Sequence, residues 1–218
     1  MSDVDWAKWH EPYDTAGSSL DRRLDRVRQR IRDALDEQPA GPVRVISMCA
    51  GQGRDLLGVL PAHPRRSDVV ARLVELDPRN VEHARRSAAD TGLRGVEVVE
   101  GDASLGSAYL GLVPSDLVLV CGVFGNVSDE HIRHTVASLP RFCRTGGTVI
   151  WTRHREPPDL TPVIRDWFRD NGFTEIGFDF EAGFTYGVGA HRLTAPSLPY
   201  LPELRLFDFV GDGGEAHR

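Results

Sequence analysis

The chain has 218 residues, 40% of them hydrophobic, and a formal net charge of −6. This length and composition are enough for one sizeable core, so we expect a single domain of α/β size. The acidic balance argues against a protein whose main task is to grip a nucleic-acid backbone, because that affinity comes largely from clustered lysine and arginine.

The cysteines and the apolar runs bear on cellular location. Cys49, Cys121 and Cys143 are an odd number without metal-ligand spacing, and the chain opens without a charged and then apolar leader. A reducing cytoplasm fits these features best. The longest apolar runs reach only strand length, so we expect no membrane partner. We also expect no metal site, because the sequence has no compact group of histidine, cysteine and aspartate.

The first 17 residues are rich in large rings at roughly helical spacing, and Pro12 interrupts any long helix there. Two interpretations stay open: a cover over a ligand site, or an arm that closes an edge of the core. We assign residues 1–40 to this arm and the helix that follows it. The rings belong to Trp6, Trp9, His10 and Tyr13.

The helix after the arm begins at Ser18 or Ser19, either of which can cap it. Its apolar residues recur every three or four positions between Leu20 and Leu35, as expected for a helix that packs on a core. Its arginines are interleaved with aspartates, which favours a solvated charged face over a nucleic-acid patch. These arginines are Arg22, Arg23, Arg26 and Arg30.

Residues 41–210 alternate five times between strand and helix patterns before the pattern changes. The first strand begins at Val43 and runs into a glycine loop. Two later strands are joined by a short loop that suits a hairpin. One more strand is predicted at 204–210, and residues 211–218 form a polar tail that we expect to be disordered. The other predicted strands are 69–75, 96–99, 116–120 and 148–152, followed by the hairpin strands 173–180 and 184–193.

This alternation predicts an α/β fold with a doubly wound, mostly parallel seven-stranded sheet and a C-terminal antiparallel hairpin. Right-handed crossovers place a ligand crevice at the carboxyl ends of the central strands. Chemically informative residues follow four of those strands, so we expect all four ends to face one cleft. They are the loop with Gly51 and Gly53, then Glu75, Asp102, and Cys121-Gly122.

The residue types at these ends suit a nucleoside. Glycines permit positive φ and let a ligand lie against main-chain amides at a helix start. A carboxylate after the second strand, here Glu75, can accept hydrogen bonds from both ribose hydroxyls, and Asp102 can accept from an adenine amine. Either carboxylate alone would more often be a solvated strand end. Four suitable strand ends in chain order favour a nucleoside site over solvated strand ends.

Over about residues 43–193 the sequence resembles the class I S-adenosylmethionine-dependent methyltransferases, which have a Rossmann-like fold. The first loop of that family reads acidic-x-Gly-x-Gly-x-Gly, and here Ser47 and Cys49 replace the acidic residue and the first glycine. Residues 75–78 resemble the acidic ribose motif, and residues 101–103 resemble the segment that lines the adenine. The resemblance implies S-adenosylmethionine as cofactor and S-adenosylhomocysteine as product. It implies cofactor contacts at Cys49, Ala50, Gly51, Gly53, Glu75, Leu76, Asp77, Asp102, Ala103, Cys121 and Gly122.

Two alternatives stay open for the function. A nicotinamide dinucleotide oxidoreductase needs Gly-x-Gly-x-x-Gly at the first turn, and Leu56 stands where the third glycine should be. This bulky residue disfavours NAD. A non-catalytic binding module would carry the same cofactor motif, so the sequence does not separate it from an enzyme.

The loop after the fourth strand bears on the acceptor. It reads Cys-Gly-Val-Phe-Gly-Asn and lacks the Asn/Asp-Pro-Pro-aromatic motif typical of methyltransferases that act on nucleobase amines or glutamine amides. We therefore expect a small-molecule acceptor, methylated at oxygen or nitrogen, and no nucleic-acid partner.

His154 is the first candidate for a general base, because the unperturbed histidine pKa lies near working pH. A surface histidine beside arginines is the alternative interpretation. Tyr13 is the second catalytic candidate, and Arg153 with Arg155 would suit an acidic acceptor. Substrate contacts are predicted for Trp9, His10, Tyr13, Asn126, His154 and Arg155.

Overall fold

The predicted alternation of strands and helices is present in the structure, a computed structural model that describes residues 17–180 and 185–209. The strands are β1 (Val43–Met48), β2 (Val69–Glu75), β3 (Val96–Glu100), β4 (Ser115–Val120), β5 (Cys143–His154), β6 (Phe173–Asp179) and β7 (Tyr186–Leu193). The helices are α1 (Ser19–Asp36), α2 (Leu56–Val59), α3 (Pro78–Asp90), α4 (Asp129–Ser138) and α5 (Thr161–Asp170). Short 3₁₀ turns follow α2 and α4, and a third precedes β4.

The seven strands form one sheet in the order β3-β2-β1-β4-β5-β7-β6. Strands β1 to β5 pair in parallel, and β7 runs antiparallel to both β5 and β6. This confirms the predicted doubly wound sheet with its C-terminal hairpin. Because the strand order reverses between β1 and β4, the crevice for a ligand is expected at the carboxyl ends of these two strands.

Side chains cap the starts of several helices, among them α1 at the predicted Ser18. The Ser18 side chain accepts a hydrogen bond from the Asp21 N–H, and Ser128 accepts one from the His131 N–H. Asp77 caps α3, with Pro78 at its first position. These caps satisfy amide groups that have no partner inside the helix, so the start of each helix is set by local sequence.

Alternate side chains of a buried strand point to opposite sides of the sheet, so helices must cover both faces. Helices α1, α2 and α3 pack on one face, and α4 and α5 pack on the other. Ile31 and Leu35 of α1 are fully buried, so this helix belongs to the same core as the sheet. On the other face, Trp151 of β5 stacks on Phe168 of α5.

The strand predicted at 204–210 is wrong for residues 204–209, the part of it that the structure describes. This segment makes isolated bridges instead, from Arg205 to Leu105 and from Phe209 to Val127. Its partners belong to two different loops, one after β3 and one after β4, so no continuous ladder can form. Residues 204–209 therefore run in an extended conformation across the loops at the carboxyl edge of the sheet. We call them the C-terminal segment.

None of the helices in residues 17–180 and 185–209 is long and apolar enough to cross a membrane. The first 16 residues of the predicted arm and the predicted tail 211–218 lie outside the described residues. The assignment of residues 1–40 as a cover therefore stays a prediction.

Candidate functional site

A cavity of about 630 Å³ opens at the carboxyl ends of β1, β2, β3 and β4. The four strand ends predicted to face one cleft meet there. All the predicted cofactor residues line this cavity except Gly53, and Asn126 lines it too. Those that do so are Cys49, Ala50, Gly51, Glu75, Leu76, Asp77, Asp102, Ala103, Cys121 and Gly122.

Glu75, at the end of β2, is held by the backbone on either side of it. One carboxylate oxygen accepts a hydrogen bond from the Gly51 N–H at 2.8 Å, and the other accepts from the Asp77 N–H at 2.9 Å. The side chain is 8% exposed. An ionised carboxylate can accept about four hydrogen bonds, so Glu75 keeps the capacity to accept from a ligand in the cavity.

The glycine loop turns in the left-handed region of backbone conformation. Cys49, Gly51 and Gly53 have φ values of 51°, 55° and 69°. A Cβ on Gly53 would lie 2.7 Å from a Leu57 methyl and 2.9 Å from a Leu73 methyl. Gly53 is therefore needed for the close packing of the loop against α2 and β2, while Ala50 and Gly51 form the cavity wall.

Cys49 is the unusual member of this loop, since residues with a side chain rarely adopt its φ of 51°. Burial raises the pKa of its thiol well above the ordinary value, and the negative charges of Glu75 and Asp102 raise it further. Burial likewise raises the pKa of the Cys121 thiol. Both cysteines are therefore neutral thiols that line the cavity, and neither is an activated nucleophile.

Asp102 lies at the β3 end of the cavity and is tied to the C-terminal segment. Its carboxylate accepts hydrogen bonds from the Ser104 N–H at 2.9 Å and from the Arg205 guanidinium at 3.2 Å. Burial opposes ionisation, but the hydrogen bonds from Ser104 and the Arg205 charge hold the pKa of Asp102 below its ordinary value. Asp102 is therefore an ionised hydrogen-bond acceptor at the β3 end of the cavity.

The C-terminal segment contributes cavity residues that the sequence analysis missed. Arg205 also donates to Ser104 Oγ at 2.9 Å and to Asp208 Oδ1 at 3.1 Å. Phe207 is buried, and Phe209, whose ring is 42% exposed, packs edge-on against it. The only sequence signal for this wall was the apolar pattern that suggested a strand at 204–210. The missed residues of this segment are Arg205, Phe207, Asp208 and Phe209.

The opposite end of the cavity is formed by α1 and the start of α2. Arg23, predicted to lie on a solvated face, is only 7% exposed and lines the cavity. That prediction was wrong for Arg23, because this part of α1 borders the cavity. Asp55 is also buried, and burial raises its pKa, although the Leu56 N–H and the charges of Arg23 and Arg28 act in the other direction.

The residues predicted to contact the methyl acceptor lie in different surroundings. Asn126 lines the cavity and donates a hydrogen bond to the Gly122 carbonyl at 2.7 Å. His154 and Arg155 are not part of the cavity wall. Arg155 donates to Asp159 at 3.0 Å, and its guanidinium lies 4.6 Å from the centre of the Phe180 ring. Trp9, His10 and Tyr13 lie outside the described residues.

His154 lies beside the loop after β4, with its ring carbon Cδ2 3.7 Å from where a Cβ on Gly125 would stand. Burial and the neighbouring charge of Arg153 lower its pKa. Within the described residues its Nδ1 atom has no hydrogen-bond partner. The imidazole is therefore neutral near neutral pH. No group of three or more potential metal ligands is found in residues 17–180 and 185–209.

The model of a protein family described as "Putative methyltransferase" matches residues 18–169, which is more than half of the chain. The chain belongs to this methyltransferase family. The matched region includes all the strand ends that form the cavity. Family membership, together with the Rossmann-like fold, confirms the prediction of S-adenosylmethionine as the cofactor.

Individual relatives share part of the sequence or the fold of this chain. "Uncharacterized protein YnbC" of Escherichia coli K12 is 30% identical over 124 residues, or 56% of this chain and 21% of that protein. An O-methyltransferase family protein from Burkholderia thailandensis superimposes with a TM-score of 0.59 at 20% identity, over 84% of this chain and 62% of that chain. The chain thus spans about a fifth of YnbC and less than two thirds of this structure.

A third relative was solved with ligands. It is the 1,6-didemethyltoxoflavin-N1-methyltransferase of Burkholderia thailandensis, with bound 1,6-didemethyltoxoflavin and S-adenosylhomocysteine. The TM-score is 0.61 at 16% identity, over 87% of this chain and 84% of that chain. At these identities the likeness to both solved structures shows a shared fold.

Proposed function

We propose that the protein transfers the methyl group of S-adenosylmethionine to an oxygen or nitrogen atom of a small-molecule acceptor. The observation that carries this proposal is the cavity at the ends of β1 to β4, with the buried Glu75 carboxylate between the glycine loop and α3. Its volume of about 630 Å³ falls within the range of roughly 300–1,000 Å³ typical of small-molecule sites.

The positions of the hydrogen-bond acceptors indicate how the cofactor would be oriented in the cavity. Glu75 at the end of β2 would accept hydrogen bonds from the ribose hydroxyls, and Asp102 at the end of β3 would accept from the adenine amine. Phe209 offers an exposed ring on the same wall. The methionine part would then lie along the Ala50–Gly51 backbone, and the sulfonium would lie towards β4 and α1.

Methyl transfer needs little from the protein beyond the correct placement of cofactor and acceptor. Bound S-adenosylmethionine supplies a methyl group already activated by the positive sulfur. Held by Glu75, Asp102 and the Ala50–Gly51 backbone, the cofactor would give this methyl group to the acceptor lone pair, and the electrons of the carbon–sulfur bond would leave with sulfur. Cavity residues hold the acceptor in line and exclude water, which accounts for a large part of such a rate enhancement. Neutral Cys49 and Cys121 thiols do not compete as methyl acceptors.

A proton must leave the acceptor when a hydroxyl or amine is methylated. We propose His154 as the proton acceptor because its imidazole is neutral and lies beside the loop after β4. Its position beside the loop after β4 would bring it to the cavity only for an acceptor that extends over Gly125. An acceptor that is already deprotonated would need no base.

Two measurements test the proposal. Calorimetry should show binding of S-adenosylmethionine and S-adenosylhomocysteine and no binding of NAD; a preference for NAD would overturn the assignment. Mass spectrometry of reactions with a panel of small phenols, carboxylates and amines should then detect a product heavier by one methylene. Persistent cofactor binding without a product from the panel or from cell extract would instead favour a non-catalytic binding module.

A further inference from the structure

Asp55, which follows the glycine loop, is a buried carboxylate with one oxygen that faces the cavity. Its side chain lines the cavity and is 9% exposed. The Oδ1 atom accepts a hydrogen bond from the Leu56 N–H at 2.7 Å. In residues 17–180 and 185–209 the Oδ2 atom makes no hydrogen bond or ion pair, and it stays accessible from the cavity. A ligand in the cavity can therefore reach this oxygen.

Asp55 lies at the α1 end of the cavity, away from Glu75 and Asp102. The Asp55 charge raises the pKa of the Cys121 thiol and the Arg23 charge lowers it, so both charged groups lie close to the carboxyl end of β4. Asp55 is also only a few positions along the chain from the glycine loop. It therefore borders the part of the cavity proposed for the methionine arm and the sulfonium.

The other carboxylates of the cavity wall belong to the nucleoside end. Two of them accept hydrogen bonds from Arg205, and the remaining two lie at the junction of β2 and α3. Ser47, which stands in place of the acidic residue of the family motif, is 1% exposed and is not part of the wall. Among the described residues, Asp55 is thus the only carboxylate that lines the α1 end. The other four are Glu75, Asp77, Asp102 and Asp208.

A ligand cation would suit this carboxylate. Burial raises the pKa of Asp55, while the Leu56 N–H and the charges of Arg23 and Arg28 act in the other direction. Because burial of a carboxylate is costly unless a cation or donors compensate it, an ammonium at Oδ2 would stabilise the ionised form. S-adenosylmethionine and S-adenosylhomocysteine both carry an ammonium at the amino-acid end, and a bond between ammonium and carboxylate is short and strong.

We propose that Asp55 binds the ammonium group of the cofactor through Oδ2 and so selects ligands that carry the complete amino acid. This inference rests on the proposed function, because it uses the orientation in which the nucleoside lies at Glu75 and Asp102. The contact would hold the methionine arm against the glycine loop and fix the sulfonium near the end of β4. Asp55 would therefore recognise the part of the cofactor that the nucleoside end does not reach.

The test titrates the full chain by calorimetry with three ligands. S-adenosylhomocysteine carries both the ammonium and the carboxylate, its deaminated analogue keeps only the carboxylate, and methylthioadenosine has neither group. We expect the unchanged protein to bind S-adenosylhomocysteine at least about tenfold more tightly than the deaminated analogue, as the loss of a charged hydrogen bond implies. Methylthioadenosine reports on the nucleoside end alone.

Asp55→Asn is the informative variant because it removes the charge and keeps an oxygen for the Leu56 N–H. We expect it to weaken S-adenosylhomocysteine binding about tenfold and to change methylthioadenosine binding less than about twofold. The preference for S-adenosylhomocysteine over the deaminated analogue should fall below about threefold. Asp90→Asn, at an exposed position of α3 outside the cavity, is the matched control and should bind all three ligands normally. If Asp55→Asn does not fold, Asp55→Ser keeps a capping oxygen and serves in its place.

The outcomes separate the two proposals. If the unchanged protein binds neither S-adenosylhomocysteine nor methylthioadenosine, the proposed function fails and the role of Asp55 fails with it. If Asp55→Asn binds S-adenosylhomocysteine normally, or weakens it and the deaminated analogue equally, Asp55 does not bind the ammonium and the proposed function stands. An equal loss of methylthioadenosine binding would likewise overturn the assignment, because Asp55 would then act by shaping the glycine loop.

Discussion

The two ends of the cavity differ in how they are built. At the β2 and β3 end, Glu75 and Asp102 directly follow their strands and are held by nearby backbone amides. At the other end, Arg23 comes from a helix that precedes the sheet. The end proposed for the nucleoside therefore depends on local strand-end chemistry, and the end proposed for the acceptor depends on distant elements meeting.

This difference is useful for a methyltransferase. In the proposed function the cofactor is bound by residues that the fold places together, while the acceptor end can change with the helix that borders it. Variation in the second region would alter the acceptor without disturbing the cofactor site. The following predictions test whether the two ends are independent.

Replacing Glu75 should have the largest effect on cofactor binding. Glu75→Ala removes the proposed acceptor of both ribose hydroxyls, and the loss of two charged hydrogen bonds is about 4 kcal/mol, or roughly a thousandfold in the Kd of S-adenosylhomocysteine. Calorimetry would measure it. Glu82→Ala on the exposed part of α3 is the control and should bind normally. Glu75→Gln, which keeps one acceptor oxygen, guards against unfolding; normal cofactor affinity in both Glu75 variants would refute the ribose assignment.

His191 should make the hairpin side of the molecule sensitive to acid. It is 1% exposed, stacks on Phe168 and accepts a hydrogen bond from the Trp151 indole. Burial lowers its pKa from 6.5 to about 4, although the Glu175 charge opposes the shift. The neutral form stabilises the fold fully above about pH 6.5, and this stabilisation is lost as the pH falls towards 4.

The expected loss is up to about 3 kcal/mol of unfolding free energy over that interval, since one pKa unit corresponds to about 1.4 kcal/mol. Urea unfolding at a series of pH values would measure it. His191→Gln keeps an acceptor for the indole but does not titrate, so its stability should vary less across this interval. Identical pH profiles for the two proteins would show that His191 is not the responsible group.

Arg205→Gln should have a moderate effect, confined to the nucleoside end. Arg205 joins Asp102, Ser104 and Asp208, but its side chain is 48% exposed, so its contribution is reduced by solvent. We expect S-adenosylhomocysteine to bind about three- to tenfold more weakly, because the C-terminal segment is less firmly held. Binding of an acceptor found in the panel of small molecules to the saturated protein should not change. A loss at the acceptor end alone would contradict the separation of the two ends.

Cys49 should show the smallest effect on binding. Cys49→Gly suits the positive φ of this position, so cofactor affinity should stay within about twofold of the original. Cys49→Val places a branched side chain in the same strained conformation and should lower the unfolding free energy by about 1–2 kcal/mol. Thermal unfolding and calorimetry would compare the pair. Loss of methyl transfer in Cys49→Gly with intact cofactor binding would give the thiol a role that its buried, neutral state argues against.

Much of the fold and of the nucleoside end could be predicted from the sequence. The helix caps at Ser18, Asp77 and Ser128 are local signals, and the alternation of strands and helices implies a parallel sheet with right-handed crossovers. Once that topology is accepted, the residues after β2 and β3 must meet at one edge. Gly53 lies in the predicted loop but acts through packing against Leu57 and Leu73, which a motif alone does not distinguish from ligand contact.

The C-terminal segment was harder to predict for a physical reason. Arg205 and Asp102 are 103 positions apart, and no local pattern specifies such a pairing. An extended apolar segment looks alike whether it pairs with one strand or with two separate loops. Here the available partners were the loops after β3 and β4, so the segment became a wall of the cavity.

What the sequence determined by itself was the order of strands and helices, the capping residues and the carboxylates at the strand ends, because these depend on neighbouring residues and on the handedness of crossovers. Only the tertiary structure decided that Arg23 is buried against the cavity. The charge pattern of α1 is that of a solvated face. The exposure of each arginine depends on how the helix packs on the sheet. The packing of distant elements thus sets the α1 end of the cavity, and local chemistry sets the strand-end carboxylates proposed to hold the nucleoside.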